Sequence, residues 1–185
     1  MKLTVIERVG HKKSDVKEVR RKGDIPAILY SPGTECENII ISGTEFSTVL
    51  REIQPGMLPT TVFQLNKGGK SFRAIVKDIQ YHPTTYRVLH LDFERLHDDV
   101  PVSVKVPVRF TGAAECTGIK LGGFLRQISR YVKVQCLPKD LPTEFFVDVR
   151  DLGIRQSKRL SDITLPKGVK ALAAPSEVIV VVAKR

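Results

Sequence analysis

The chain has 185 residues, 42% of them hydrophobic and 27% charged, a balance that supports a buried core in one large domain or two small ones. Its net charge of +10 points to a polyanionic partner, most often nucleic acid, against the plainer alternative of a merely basic surface. No run reaches the roughly 18 to 20 apolar residues of a membrane span, MKLTVIERVGHKK lacks the features of a signal peptide, and three scattered cysteines (Cys36, Cys116, Cys136) suggest neither disulfides nor a zinc ribbon. A cytosolic protein is predicted.

KLTVIER reads as an opening strand, broken at GHKK. A short helix follows, with Ser14 as its cap, Asp15 at the positive end of its dipole and Gly23 as its stop. At about 100° per residue, Lys17, Arg20 and Arg21 share one arc while Val16 and Val19 point to a neighbouring side. This predicts a basic ridge facing outward. The first 22 residues hold 8 basic and 3 acidic side chains, whereas residues 23–95 hold 7 and 8, so the positive field of the first half sits at its amino end.

IPAILY is a strand, SPGTECE a loop and NIIIS another strand. GTEFSTVLREI reads as a helix capped by Thr44, with Phe46, Val49, Leu50 and Ile53 on its apolar stripe. TTVFQL and KSFRAIVKDIQ flank NKGG, the turn chemistry of a hairpin. RVLHLDFERL then alternates, with Leu89, Leu91 and Phe93 on one face and His90, Asp92 and Glu94 on the other.

VPVSVKVPVRF alternates Val100 through Phe110 against Pro101, Ser103, Lys105, Pro107 and Arg109, and its prolines predict an edge strand or a bulge. GIKLGGFL makes a glycine turn, and YVKVQCLP, EFFVDV and SEVIVVVA are further strands. The second half is therefore mostly β. The domains are placed at residues 1–97 and 98–185.

His82, His90, Asp92 and His97 have metal-ligand chemistry but follow no known ligand spacing, so no metal or cofactor is predicted. The absence of G-x-S-x-G, Walker, G-x-G-x-x-G and H-E-x-x-H motifs argues against an enzyme, catalytic residues or a small-molecule substrate; a small hydrolase using His90 and Asp92 is the enzymatic alternative. His82, beside Pro83, reads as a turn residue. On one strand face, His90 and Asp92 suit either a solvated surface or the recognition of RNA base edges and 2′-hydroxyls.

RRKGDIPAILY, followed by VKDIQYHP and HLDF, resembles the amino-terminal domain of the bacterial large-subunit ribosomal proteins that bind 5S ribosomal RNA, the family of general stress protein CTC. The second half is similar to the longer members through VPVSVKVPVRFTG, GIKLGGFL, LPTEFFVDVRDL and LPKGV. The resemblance implies an amino-terminal β-barrel with a few short helices and a β-rich carboxy-terminal domain. It also implies a cytoplasmic, ribosome-associated protein whose first domain grips the minor-groove side of 5S RNA. The positions it implies are Arg8, Lys13, Lys17 and Arg20 from the basic segment, with Tyr30, Gln80, His90 and Asp92 from the strands.

Lys13, Lys17, Arg20 and Arg21 would neutralise phosphates, and the strand residues would discriminate. The carboxy-terminal domain would meet other large-subunit RNA or ribosomal proteins. A stress-induced RNA-binding assembly factor is the other reading of the same motifs. The chain departs from the family at Ser31, where many members have glycine, and in its less arginine-rich helix.

Overall fold

The computed structural model describes residues 1–8, 10, 12–33 and 35–184; His11 of the predicted GHKK break and Thr34 of the predicted SPGTECE loop lie outside them. The chain divides into two units, Met1–Val100 and Pro101–Arg185. Among the described residues no helix is long and apolar enough to cross a membrane, and all three cysteines are free thiols.

The first unit runs β1 (Lys2–Glu7), α1 (Lys13–Arg21), β2 (Ile25–Tyr30), β3 (Glu37–Ile41), α2 (Gly43–Glu52), β4 (Val62–Lys67), β5 (Lys70–Tyr81) and β6 (Val88–Arg95). The strands close into a barrel in the order β1-β3-β2-β6-β5-β4, with β1–β4 and β2–β6 parallel and the other pairs antiparallel. Closure leaves no free sheet edge. β4 and β5 form the hairpin predicted around NKGG.

Inside, Phe63 stacks edge-on against Phe93 with centroids 5.9 Å apart and meets Phe46 of α2 at 6.5 Å, all three fully buried. α2 lays its predicted stripe over this core: Phe46 and Val49 are buried, with Leu50 and Ile53 packed beside them. Its first residue is Ser42-flanked Gly43 rather than a residue after Thr44, and the two hydroxyls of Ser42 and Thr44 bond each other at 2.8 Å instead of capping backbone N–H groups. A Cβ on Gly43 would stand 2.0 Å from the Gly23 carbonyl oxygen, so the start of α2 and the end of α1 approach as only glycine allows.

α1 ends as predicted at Gly23. The N–H of Gly23 donates to Arg20 O at 3.2 Å and that of Asp24 to Val19 O at 3.1 Å, the paired bonds of a Schellman motif, with Gly23 at φ 88°. Its start differs from expectation: the helix begins at Lys13 after Lys12, and the Ser14 hydroxyl donates to the Asp15 carboxylate at 2.8 Å rather than capping. No residue of α1 is fully buried, and Val16 and Val19 are half-buried.

The second unit contains β7 (Val102–Thr111), α3 (Thr117–Lys120), β8 (Gly123–Gln127), β9 (Tyr131–Cys136), β10 (Phe145–Asp148), β11 (Ser157–Arg159), β12 (Lys170–Ala171) and β13 (Val178–Lys184). A four-stranded sheet, β10-β7-β9-β12, and a three-stranded sheet, β11-β13-β8, feed one apolar core. β7 is flanked on both sides rather than at an edge. Its first part, Val102–Pro107, pairs with β9 and its last, Val108–Thr111, with β10, so Pro107 sits where one ladder hands over to the other. That junction is where a missing N–H is tolerated.

Phe63 joins α2 to two strands of the barrel. Phe63→Ala is expected to destabilise the protein by about 3–5 kcal/mol, read as a lower urea midpoint at unchanged slope.

Candidate nucleic-acid interface

The polar face is built on β6, which lies between β2 and β5. Leu91 and Phe93 are fully buried, so period-two alternation turns His90 and Asp92 to the outside of the barrel. Two bulges shape this face. One leaves Lys77 as an extra residue on β5 between the Val76–Phe93 and Asp78–Asp92 pairs; the other leaves Leu89 extra on β6 between Gln80–His90 and Tyr81–Val88. The first reverses the alternation of β5, so Val76 and Ile79 both pack on the core while Asp78 and Gln80 are exposed. The second corrects the predicted face of β6: Val88, not Leu89, packs against the core.

Register then assembles the site. Gln80 lies opposite His90, Asp78 opposite Asp92, Ile28 opposite Asp92 on the other side, and Tyr30 opposite Glu94. Arg8 reaches the same surface from the end of β1, because its Nη2 donates to Asn38 Oδ1 at 3.0 Å and Asn38 pairs with Ile28. Tyr30, Gln80, His90, Asp92 and Arg8 thus come together from separate strands of the barrel. Among the described residues, no cluster of three or more His, Cys, Asp or Glu is arranged to hold a metal ion.

His90 Nδ1 and Asp92 Oδ1 are 2.7 Å apart. A carboxylate only accepts, so Nδ1 is the donor, and in the neutral ring Nε2 is left as an acceptor. Asp92 thereby holds the ring through one carboxylate oxygen. Glu94, predicted on the exposed face, is instead buried at 8% exposure and pairs with Lys77 Nζ at 2.7 Å. Burial first, then the charges of Glu94, Asp92 and Asp78, pushes the Tyr30 phenol up to about 12. The face is acidic overall.

Cations border it. Lys13, Lys17 and Arg21 of α1 are exposed and have no carboxylate partner among the described residues. Arg20 also anchors its own helix, since its Nε and Nη2 donate to Leu89 O at 3.1 and 2.9 Å and so dock α1 beside His90. His82 is a turn residue, its Nδ1 accepting from the N–H groups of Thr84 and Thr85 at 3.4 and 3.3 Å. His97 bonds Ser31 Oγ through Nε2 at 2.5 Å, which ties the end of β2 to the chain after β6.

Sequence reading missed Asp78, although its i, i+2 spacing from Gln80 on a strand was the available signal. It also missed an open groove of about 980 Å³ between the end of α1, the start of α2 and the β5–β6 turn, lined by Arg20, Arg51, Arg87, Tyr81 and Tyr86 with Asp24. No spacing in the sequence links Arg51 on α2 to Arg87.

Comparison with known proteins matches residues 3–93 to the ribosomal L25p family and residues 101–185 to the carboxy-terminal domain of ribosomal protein TL5. The large ribosomal subunit proteins bL25 of Chlamydia abortus and Chlamydia trachomatis serovar A are 45% identical to the chain over 185 residues, covering 100% of both chains in each case. That of Chlamydia pneumoniae is 44% identical over the same span and coverage.

Tyr30 is expected to ionise near pH 12, so Tyr30→Phe removes that step from the phenolate absorbance titration. A raised phenol pKa means the folded state holds its proton longer than the unfolded one. The stability it contributes is complete below about pH 10, the ordinary tyrosine value, and is lost as pH rises through the folded value. Denaturation midpoints of wild type and Tyr30→Phe should therefore diverge between those limits.

Proposed function

The chain belongs to the ribosomal L25p family, in the long form with a TL5-type second domain, and on that premise we propose that it binds 5S ribosomal RNA through α1 and the outer barrel face. It is a structural constituent of the large ribosomal subunit, ribosome-associated, with ribosomal RNA as partner and no enzymatic activity.

The division of charge on this surface carries the proposal. Lys13, Lys17 and Arg21 stand free on an exposed helix, while Asp78 and Asp92 face each other on the neighbouring strands. A phosphate would be repelled from the carboxylates and drawn to the helix. An RNA helix meets both demands when its backbone follows α1 and its wide, shallow minor groove, with 2′-hydroxyl and amino donors, lies over the acidic face.

Each side chain then has a role. Lys13, Lys17, Arg20 and Arg21 supply affinity, and Arg20 also fixes the angle of the helix through Leu89. Asp92 accepts from a base amino group or a ribose hydroxyl, as does His90 Nε2. Gln80 offers both donor and acceptor beside them, Tyr30 gives a phenol that stays protonated, and Arg8 flanks the row.

Purified protein should bind 5S RNA with log affinity falling against log salt by about 0.7–0.9 per phosphate contact. Lys17→Ala should weaken binding to every RNA alike and lower that slope by about one contact. His90→Ala and Asp92→Ala should each cost about 1–3 kcal/mol of preference for 5S RNA over an unrelated duplex, by analogy with base-edge contacts, and leave the slope unchanged. Equal affinity for 5S RNA and unrelated duplexes in the wild type would refute the reading.

A further inference from the structure

On the second unit, the outward face of the sheet β10-β7-β9-β12 gathers cations and aromatic rings into one stripe. We propose that this stripe is an RNA-binding surface in its own right, with Lys105, Lys133 and Lys170 on phosphates and Tyr131 and Phe146 as platforms for bases. It lies on a different unit from the barrel face and does not depend on that face binding 5S RNA.

Alternation creates the stripe. Val102, Val104 and Val106 of β7 and Val132 and Val134 of β9 are buried, which turns Lys105, Lys133 and Tyr131 away from the core. Register aligns them. Lys105 is directly opposite Lys133; further along the strand, Ser103 is opposite Gln135, which is in turn opposite Lys170. In the other direction Pro107 is opposite Tyr131, and Arg109 is opposite Phe146 of β10. From the Lys170 level to the Phe146 level the face extends about 20 Å, at about 3.3 Å per residue of β7.

Two observations point to a ligand. Like charges directly opposite on neighbouring strands are destabilising, and none of Lys105, Lys133 and Lys170 has a carboxylate partner among the described residues. Two ion pairs lie on this face, Arg109 with Glu144 at 2.5 Å and Asp148 of β10 with Arg150 at 2.6 Å, and neither involves a lysine. A bound polyanion would relieve the repulsion that the fold leaves in place. On the same face, Tyr131, two residues from Lys133, is 42% exposed, and Phe146, opposite Arg109, is 59% exposed. Exposed rings next to unpaired cations favour RNA over an acidic peptide, because a base has a π face to stack and a carboxylate side chain has none.

The test uses the full chain and two probes, a mixed-sequence single-stranded RNA 12-mer and poly-glutamate of matching charge. The double variant Lys105→Ala/Lys133→Ala should bind the RNA at least about tenfold more weakly, with a log–log salt slope smaller by about 1.4, two single-strand phosphate contacts. Its melting temperature should hold or rise, because the repelling pair is gone. Tyr131→Ala should weaken RNA binding about fivefold or more and leave poly-glutamate binding as it was. Unchanged RNA affinity and slope in the double variant overturns the proposal. Equal losses on both probes in Tyr131→Ala overturn it in favour of an acidic protein partner. Lys17→Ala and His90→Ala, on the first unit, report on the barrel face separately.

Discussion

Everything proposed for the first unit depends on the side-to-side alternation of one strand, β6. Leu91 and Phe93 are fully buried, and β6 is held in parallel register by β2 and in antiparallel register by β5. A slip of one residue would exchange the two faces, placing His90 and Asp92 in the apolar interior and Phe93 outside. Burial of the aromatic cluster around Phe63 is thus what holds the His90–Asp92 pair on the outer face. The proposed recognition surface is the reverse side of the core.

Both units leave like charges facing each other across paired strands, Asp78 with Asp92 in the barrel and Lys105 with Lys133 in the second sheet. Such pairs oppose folding by fractions of a kcal/mol each, and folded proteins tolerate local conflicts of this kind chiefly where a ligand uses them. The two pairs have opposite sign. In the proposed complexes, the barrel's carboxylates would keep phosphates off the strands and leave them to α1, while the lysines of the second sheet would attract them. RNA would therefore be met through its groove by the first unit and through its backbone by the second.

Irregularities do much of the positioning. The Lys77 bulge turns Asp78 and Gln80 outward and aims Lys77 at Glu94, which would otherwise be a buried, uncompensated carboxylate. The Leu89 bulge frees a carbonyl that Arg20 grips with two N–H groups, so the helix with no fully buried residue is still fixed to the barrel. Pro107 is accommodated in the middle of a sheet because β7 changes partner at that residue.

Local chemistry made a large part of this legible in the sequence. The NKGG hairpin, the Gly23 stop, the apolar stripe of α2, the alternation of β7 and the pairing of His90 with Asp92 on one face all follow from spacings of about four residues or fewer, where backbone geometry alone decides. Helix starts were less legible, because Ser14 and Thr44 found hydroxyl or carboxylate partners that compete with capping. The barrel itself came from family resemblance, since strand order is set by pairings between distant segments. Only tertiary structure decided that Asp78 faces Asp92, that Lys105 faces Lys133, that Glu94 is buried and that Arg51 and Arg87 share a groove. The physical reason is register: a strand's own sequence determines which residues share a face, but its partner strands determine what lies opposite them.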